Sequence, residues 1–215
     1  MTRLSFIAIM IGMWATPVAA ENFAGCDKAE MRVASDALSK AKDLTLKAAA
    51  TVGDTPQYRR WFGEYSPGHA EEVRAGLKAV VTAIRSGAVT VQCDDTTMDG
   101  CEGGTYAWVY PHEHYRLYLC PAFFNLPRLI ELRPGARASE NGTREGTIVH
   151  ELSHFNRVAR TEDHCYSRPE CSDMAREDPL LAIENADSFQ YFTEDVTYFA
   201  RQPVAGKPGA ADRED

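Results

Sequence analysis

The stretch GTIVHELSHFNRVARTEDHCY, residues 146–166, decides how the chain is read. It contains His150-Glu151-Leu152-Ser153-His154, the HExxH pattern, in which two imidazoles four positions apart stack on one helix face and can reach one divalent metal ion. Glu151, one step round the helix, faces the adjoining side, where a water at such a metal needs a general base. Thr147, Ile148, Val149, Leu152 and Phe155 give the same segment an apolar side. The spacing therefore predicts one helix, half core and half ligand.

The third ligand separates the classes that share this pattern. A metzincin needs a histidine six positions after His154 and a glycine three positions after it, but those residues are Arg160 and Arg157, so that class is excluded. A gluzincin would take a glutamate from a later helix, and Glu170, Glu177 and Glu184 are all available. Closer in the chain, Asp163 follows His154 by nine positions and Tyr166 follows Asp163 by three. This arrangement resembles the aspzincin metallopeptidases, the deuterolysins and the peptidyl-Lys metalloendopeptidases. Tyr58-Arg59-Arg60-Trp61-Phe62-Gly63, Leu119-Cys120-Pro121-Ala122-Phe123-Phe124 and Asn185-Ala186-Asp187 are similar to further segments of that family, in the family's order.

The resemblance implies a zincin-like α+β fold, mainly helical, with a small mostly antiparallel sheet and an HExxH active-site helix. It implies one zinc ion held by His150, His154 and Asp163, with Glu151 and Tyr166 catalytic. Asp187 stands where lysine-specific relatives carry the carboxylate that receives a basic P1′ side chain, so preference for Lys or Arg follows. A competing role for Asp187 is to orient a zinc-binding histidine. Arg160 and Ser167 replace two glycines of the family, and because glycine permits backbone angles closed to other residues, the loop carrying Asp163 is expected to be shaped differently here.

Working outward, Arg3, an apolar run from Leu4 to Ala15 and Thr-Pro-Val-Ala-Ala read as a secretory signal spanning residues 1–20. Residues 21–200 form one peptidase-like domain, and 201–215, rich in Pro, Gly, Ala and charge, a flexible tail. Helices are expected from Lys28 to Val52 and from about His69 to Ser86, each stopped by a glycine, with Tyr58, Trp61, Phe62 and Tyr65 packed between them as core. Val89, Val91 and Cys93 alternate as in a strand. Thr105–Tyr110 and Tyr115–Cys120 read as a hairpin across Pro111-His112-Glu113-His114, whose histidines are solvated rather than ligating. One of these strands is expected to be the edge that binds extended substrate. Asp178-Pro179 opens a last helix reaching about Phe199, with Leu180, Leu181, Ile183, Phe189, Phe192, Val196 and Phe199 over a core.

Composition is that of an ordinary globule, 44% hydrophobic and 25% charged, and the net charge of −8 argues against nucleic-acid and anionic-membrane partners. Six cysteines behind a signal suggest three disulfides, with fifteen pairings open. The resemblance implies Cys26 with Cys93 and Cys101 with Cys120, leaving Cys165 with Cys171; Cys165 as a thiolate ligand is the competing idea. The resulting expectation is a secreted, extracellular or periplasmic, monomeric zinc metalloendopeptidase acting on polypeptides, preferably basic ones. It has no nucleic-acid partner and no membrane association after signal cleavage. The alternatives are a gluzincin-type peptidase with a glutamate ligand and a catalytically degenerate zinc-binding or host-protein-binding module.

Overall fold

A computed structural model of the chain describes residues 22–93, 100–132 and 142–198; the expected signal, the tail, Phe199 and most of the loop before the HExxH helix lie outside the described residues. The elements run β1 (Phe23–Ala24), α1 (Lys28–Thr51), α2 (Pro56–Phe62), α3 (Pro67–Arg85), β2 (Thr90–Cys93), β3 (Ala107–Val109), β4 (Arg116–Leu119), α4 (Arg144–His154), α5 (Arg168–Glu177), α6 (Pro179–Ile183) and α7 (Ala186–Thr197). Two short 3₁₀ turns lie between β4 and α4. Among the described residues no helix is long and apolar enough to cross a membrane.

Helix α1 opens on a capping box in which Asp27 accepts from the Ala29 and Glu30 amides and Glu30 reaches back to the Asp27 amide. Its buried stripe is Ala34, Ala37, Ala41, Thr45 and Ala48, small enough for α3, α4 and α7 to lie close against it. Ser66-Pro67 starts α3 two residues earlier than the apolar pattern indicates, because proline is favoured in the first helical turn. Thr55-Pro56 does the same for α2, a seven-residue helix too short to show a period, which buries Tyr58, Trp61 and Phe62 completely.

The sheet order is β1-β2-β4-β3. The β3–β4 hairpin is antiparallel as expected, but β2 pairs with β4 in parallel (Val91↔Leu117), and β1 pairs with β2 in parallel (Phe23↔Val91). The sheet is thus mixed, not mostly antiparallel. The hairpin places its first strand at the edge and returns β4 beside β2 in the same direction. Strand β1 is a two-residue strand with no alternation to reveal it, held by the Val91 amide donating to Asn22 O and by the Cys26–Cys93 disulfide. Cys101–Cys120 and Cys165–Cys171 are also bonded, so no described cysteine is left as a thiolate ligand.

The last helix is not continuous. It breaks at Glu184-Asn185 into α6 and α7, and the break lets Glu162, in the loop after α4, form a parallel bridge with Asn185. Breaking the helix also turns α6 outward: Leu180 is 59% and Leu181 38% exposed, whereas Ile183, Phe189 and Phe192 are buried as expected. Helix α5, announced by the Ser167 cap and Pro169, carries no apolar period and is legible only from those termini.

Four elements meet at one buried ion cluster. Arg168 of α5 pairs with Glu194 and Asp195 of α7; Asp195 also accepts from Trp61 Nε1 of α2 at 2.8 Å, and Glu194 from the hydroxyl of Thr143, the N-cap of α4, at 2.8 Å. The Arg168 guanidinium stacks over the rings of Tyr191 and Trp61. Burial pushes the Glu194 carboxyl up to about 7 against the pull of Arg168 and Thr143. Replacing Arg168 by Met leaves two carboxylates buried without their cation, and should cost about 3–5 kcal/mol by denaturant unfolding at pH 8. Arg168 holds the Glu194 carboxyl down, so without it that carboxyl protonates at a higher pH than about 7, and the deficit should shrink as pH falls toward about 7 and stay level below it.

Arg160 adopts φ 56°, the left-handed conformation, among the described residues the only non-glycine to do so. Arg160 thus takes a backbone turn that glycine adopts without strain. Ser167, at φ −130°, needs no such freedom and instead caps α5. Arg160→Gly should raise stability by about 0.5–1 kcal/mol, the relief of left-handed strain less the entropy glycine gains on unfolding, measurable by thermal or denaturant midpoints.

Candidate metal centre

Helix α4 begins at Thr143, whose hydroxyl accepts from the Gly146 amide, and then runs through Thr147, Ile148 and Val149, a β-branched run that disfavours helix on its own. Tertiary packing holds it. Ile148, Val149, Leu152 and Phe155 are fully buried, and Gly146 is obligatory, since a Cβ there would collide with Glu194 and Gln190 of α7. The helix is buried on nearly every side, more completely than a half-core, half-ligand helix requires.

His150 and His154 project from one face with ring centroids 4.9 Å apart. Both Nδ1 atoms are occupied: that of His150 lies 2.8 Å from Asp187 Oδ1, and that of His154 2.7 Å from the carbonyl of Thr161. With Nδ1–H donating in each ring, both Nε2 lone pairs are free to converge. They do so on Asp163 Oδ1, 3.2 Å from His150 Nε2 and 3.5 Å from His154 Nε2. Donors about 2.0–2.2 Å from a tetrahedral zinc lie roughly 3.3–3.6 Å from one another, the spacing of Asp163 Oδ1 from both rings, and all three donor atoms lie within 4.8 Å of one another. Among the described residues this is the group of His, Cys, Asp and Glu side chains that could hold a metal; Glu170, Glu177 and Glu184 are not in it, nor are His112 and His114.

The electrostatics agree with the donor geometry. Three carboxylates, those of Glu151, Asp163 and Asp187, crowd two imidazoles, a surplus of negative charge that a divalent cation would neutralise. Burial opposes protonation of His150, yet hydrogen bonds to Asp163 and Asp187 outweigh it and raise that ring well above its ordinary value. Burial would likewise raise Asp163, but His150 and His154 hold its carboxyl below the usual range. Glu151, buried with an oxygen 4.0 Å from His150 Nε2, is pushed by burial to about 7.

Tyr166 is 65% exposed, and partial burial together with the nearby Asp163 charge raises its pKa. Asp187, by contrast, is 5% exposed and hydrogen-bonded to His150 Nδ1, and burial together with the Asp187 charge raises the pKa of Tyr191. That is the placement expected of a carboxylate orienting a ligand histidine. Tyr191 escaped the sequence reading; its hydroxyl donates to the Tyr166 carbonyl at 3.3 Å, and only its place one helical turn after Asp187 hints at it. All six residues singled out in the sequence line one cleft of about 700 Å³, whose opposite wall is Gly103–Val109, including the edge strand β3.

Comparison with known proteins gives a consistent result. The chain is 33% identical over 170 residues to an extracellular protease of Aeromonas hydrophila, covering 79% of this chain and 44% of that protein. It is 30% identical over 176 residues to a peptidyl-Lys metalloendopeptidase of Pleurotus ostreatus, covering 80% of this chain and 95% of that one. This chain thus spans less than half the length of the Aeromonas relative and nearly all of the Pleurotus one. A solved zinc peptidase from Grifola frondosa superposes with a TM-score of 0.67 at 28% identity, over 80% of this chain and 99% of its own. Residues 47–194, which include every member of the site, match the aspzincin family model, described as lysine-specific metallo-endopeptidase, and the chain belongs to that family.

Proposed function

We propose that the protein is a secreted zinc metalloendopeptidase with a single ion held by His150, His154 and Asp163. The observation that carries this reading is the convergence of two imidazole Nε2 atoms and one carboxylate oxygen at zinc-ligand spacing, beside a buried carboxylate that belongs to none of the three. When bound, zinc supplies Lewis acidity toward the scissile carbonyl and acidifies the attacking water.

The chain's own groups do the rest. Glu151 takes the proton of the attacking water on its carboxylate and later delivers it to the leaving amine; burial to a pKa of about 7 suits a group that must both accept and give. Tyr166, exposed at the mouth of the cleft, donates its hydroxyl to the oxygen that gains negative charge. Asp187 and the Thr161 carbonyl hold the two rings in the tautomer that leaves Nε2 free. Substrate lies extended along β3. The Cys120 amide donates to Tyr106 O, so by antiparallel alternation the backbone groups of Trp108 face β4 and those of Ala107 and Val109 face outward, ready to pair with a peptide.

A basic side chain beside the scissile bond suits this cleft, because its described walls carry Glu151, Glu162, Asp163 and Asp187 and no Lys or Arg. Asp187 is a buried carboxylate outside the three ligands and the general base, and so remains the reading for P1′ preference, alongside its hold on His150. The Pleurotus relative, named for action at lysine, agrees. Export is supported by three disulfides, two of which tie the sheet and one the ligand loop.

Glu151→Gln should lower peptide hydrolysis by about 10²–10⁴-fold while one zinc per chain remains bound; a near wild-type rate would remove Glu151 as the base. Asp187→Asn keeps an acceptor for His150 Nδ1 but loses the charge. It should retain zinc and lose preference for Lys and Arg when cleavage products of a denatured protein mixture are sequenced, and an unchanged preference would confine Asp187 to orienting His150.

A further inference from the structure

The geometry points to Asn185 as the residue that positions Asp163, so that the tripeptide Asn185-Ala186-Asp187 sets two of the three metal-binding side chains from one place. This rests on the assignment of Asp163 as a ligand. His150 and His154 are placed by a helix, but Asp163 arrives on the stretch between α4 and α5, residues 155–167, whose one sheet-like pairing is the single bridge of Glu162 to Asn185. A ligand on such a stretch needs an external fastening.

The fastening lies on both sides of Asp163. Before it, the Glu162 amide donates to Glu184 O at 2.7 Å, and the Ala186 amide donates to Glu162 O at 3.1 Å. After it, Asn185 Oδ1 accepts from the amides of His164 at 2.9 Å and Cys165 at 3.2 Å. Asn185 is fully buried; its Nδ2 donates to Ser188 Oγ at 3.2 Å and to Cys171 Sγ at 3.8 Å, while the two loop amides, which can only donate, require the oxygen end to face the loop. Loss of Oδ1 would leave two loop amides without their acceptor and release the chain on the C-terminal side of Asp163. Two residues further on, Asp187 enters the first turn of α7 and reaches His150 Nδ1. The helix break at Glu184-Asn185 makes both contacts available; a continuous helix would leave no free edge for Glu162.

The side chain needed here is an acceptor, which distinguishes positioning from mere filling of space. Aspartate at 185 would still accept from both amides and could accept from the Ser188 hydroxyl, whereas alanine can do neither.

The test compares Asn185→Ala, Asn185→Asp and Asp163→Ala for zinc affinity by competition with a chromophoric chelator, with circular dichroism to verify the fold. Asn185→Ala should weaken zinc by about 10- to 100-fold, and Asn185→Asp should stay within about threefold of wild type. Asp163→Ala should be weaker than either. If Asp163→Ala binds zinc like wild type, the ligand assignment itself fails. If Asp163→Ala loses zinc but Asn185→Ala does not, or if Asn185→Asp is as weak as Asn185→Ala, the role of Asn185 is overturned while the ligand assignment stands. Should Asn185→Ala not fold, amide hydrogen exchange of the wild type decides instead: the His164 and Cys165 amides should be protected, and exchange at the rate of an open loop would overturn the role of Asn185.

Discussion

Helix α4 lies so close to α7 that Gly146 has no room for a side chain, and this contact is what the rest of the site depends on. A helix with a β-branched run and two histidines would not hold together in water by propensity. Pressed between α1 and α7, it is stabilised by burial of Ile148, Val149, Leu152 and Phe155. The same contact brings Asp187 to His150 and Glu194 to the Thr143 cap, so one interface both supports the helix and orients its first histidine. Arg168 then links that interface to α5 and, through Asp195, to Trp61 of α2.

The site gathers negative charge where the fold can least solvate it. Glu151 and Asp187 are nearly inaccessible, and Asp163 is only partly open to water. Such an arrangement is costly unless a cation shares it, which is a physical reason to read the centre as built for a metal rather than for a neutral hydrogen-bonded network. The same surplus of negative charge continues into the cleft through Glu162.

The loop after α4 holds a non-glycine residue in a conformation that favours glycine. Arg160 takes the left-handed angle that glycine would take, held by its surroundings: the Ala159 and Thr161 amides both donate to Ser153 O, and the Thr161 hydroxyl contacts Ser153 Oγ. The Thr161 carbonyl is thereby fixed against His154, and the Cys165–Cys171 disulfide and Tyr191 secure the far end beside Tyr166.

The sequence by itself determined the long helices, the hairpin and the convergent trio of His150, His154 and Asp163, because each is written in local spacing: periods of apolar residues, caps, and ligands within fourteen positions of one another. It left β1, α2 and α5 nearly silent, since two to ten residues without an apolar period carry only their caps. It also gave no sign that His150 Nδ1 is the atom Asp187 would reach, and it ran α6 and α7 together. Those points were decided only by tertiary structure, because they turn on contacts across twenty or more residues: Asn185 reaching back to the loop of Asp163, and α7 meeting α4 at the one face where His150 needs a partner. No periodicity in a single segment encodes which face of another segment it will touch.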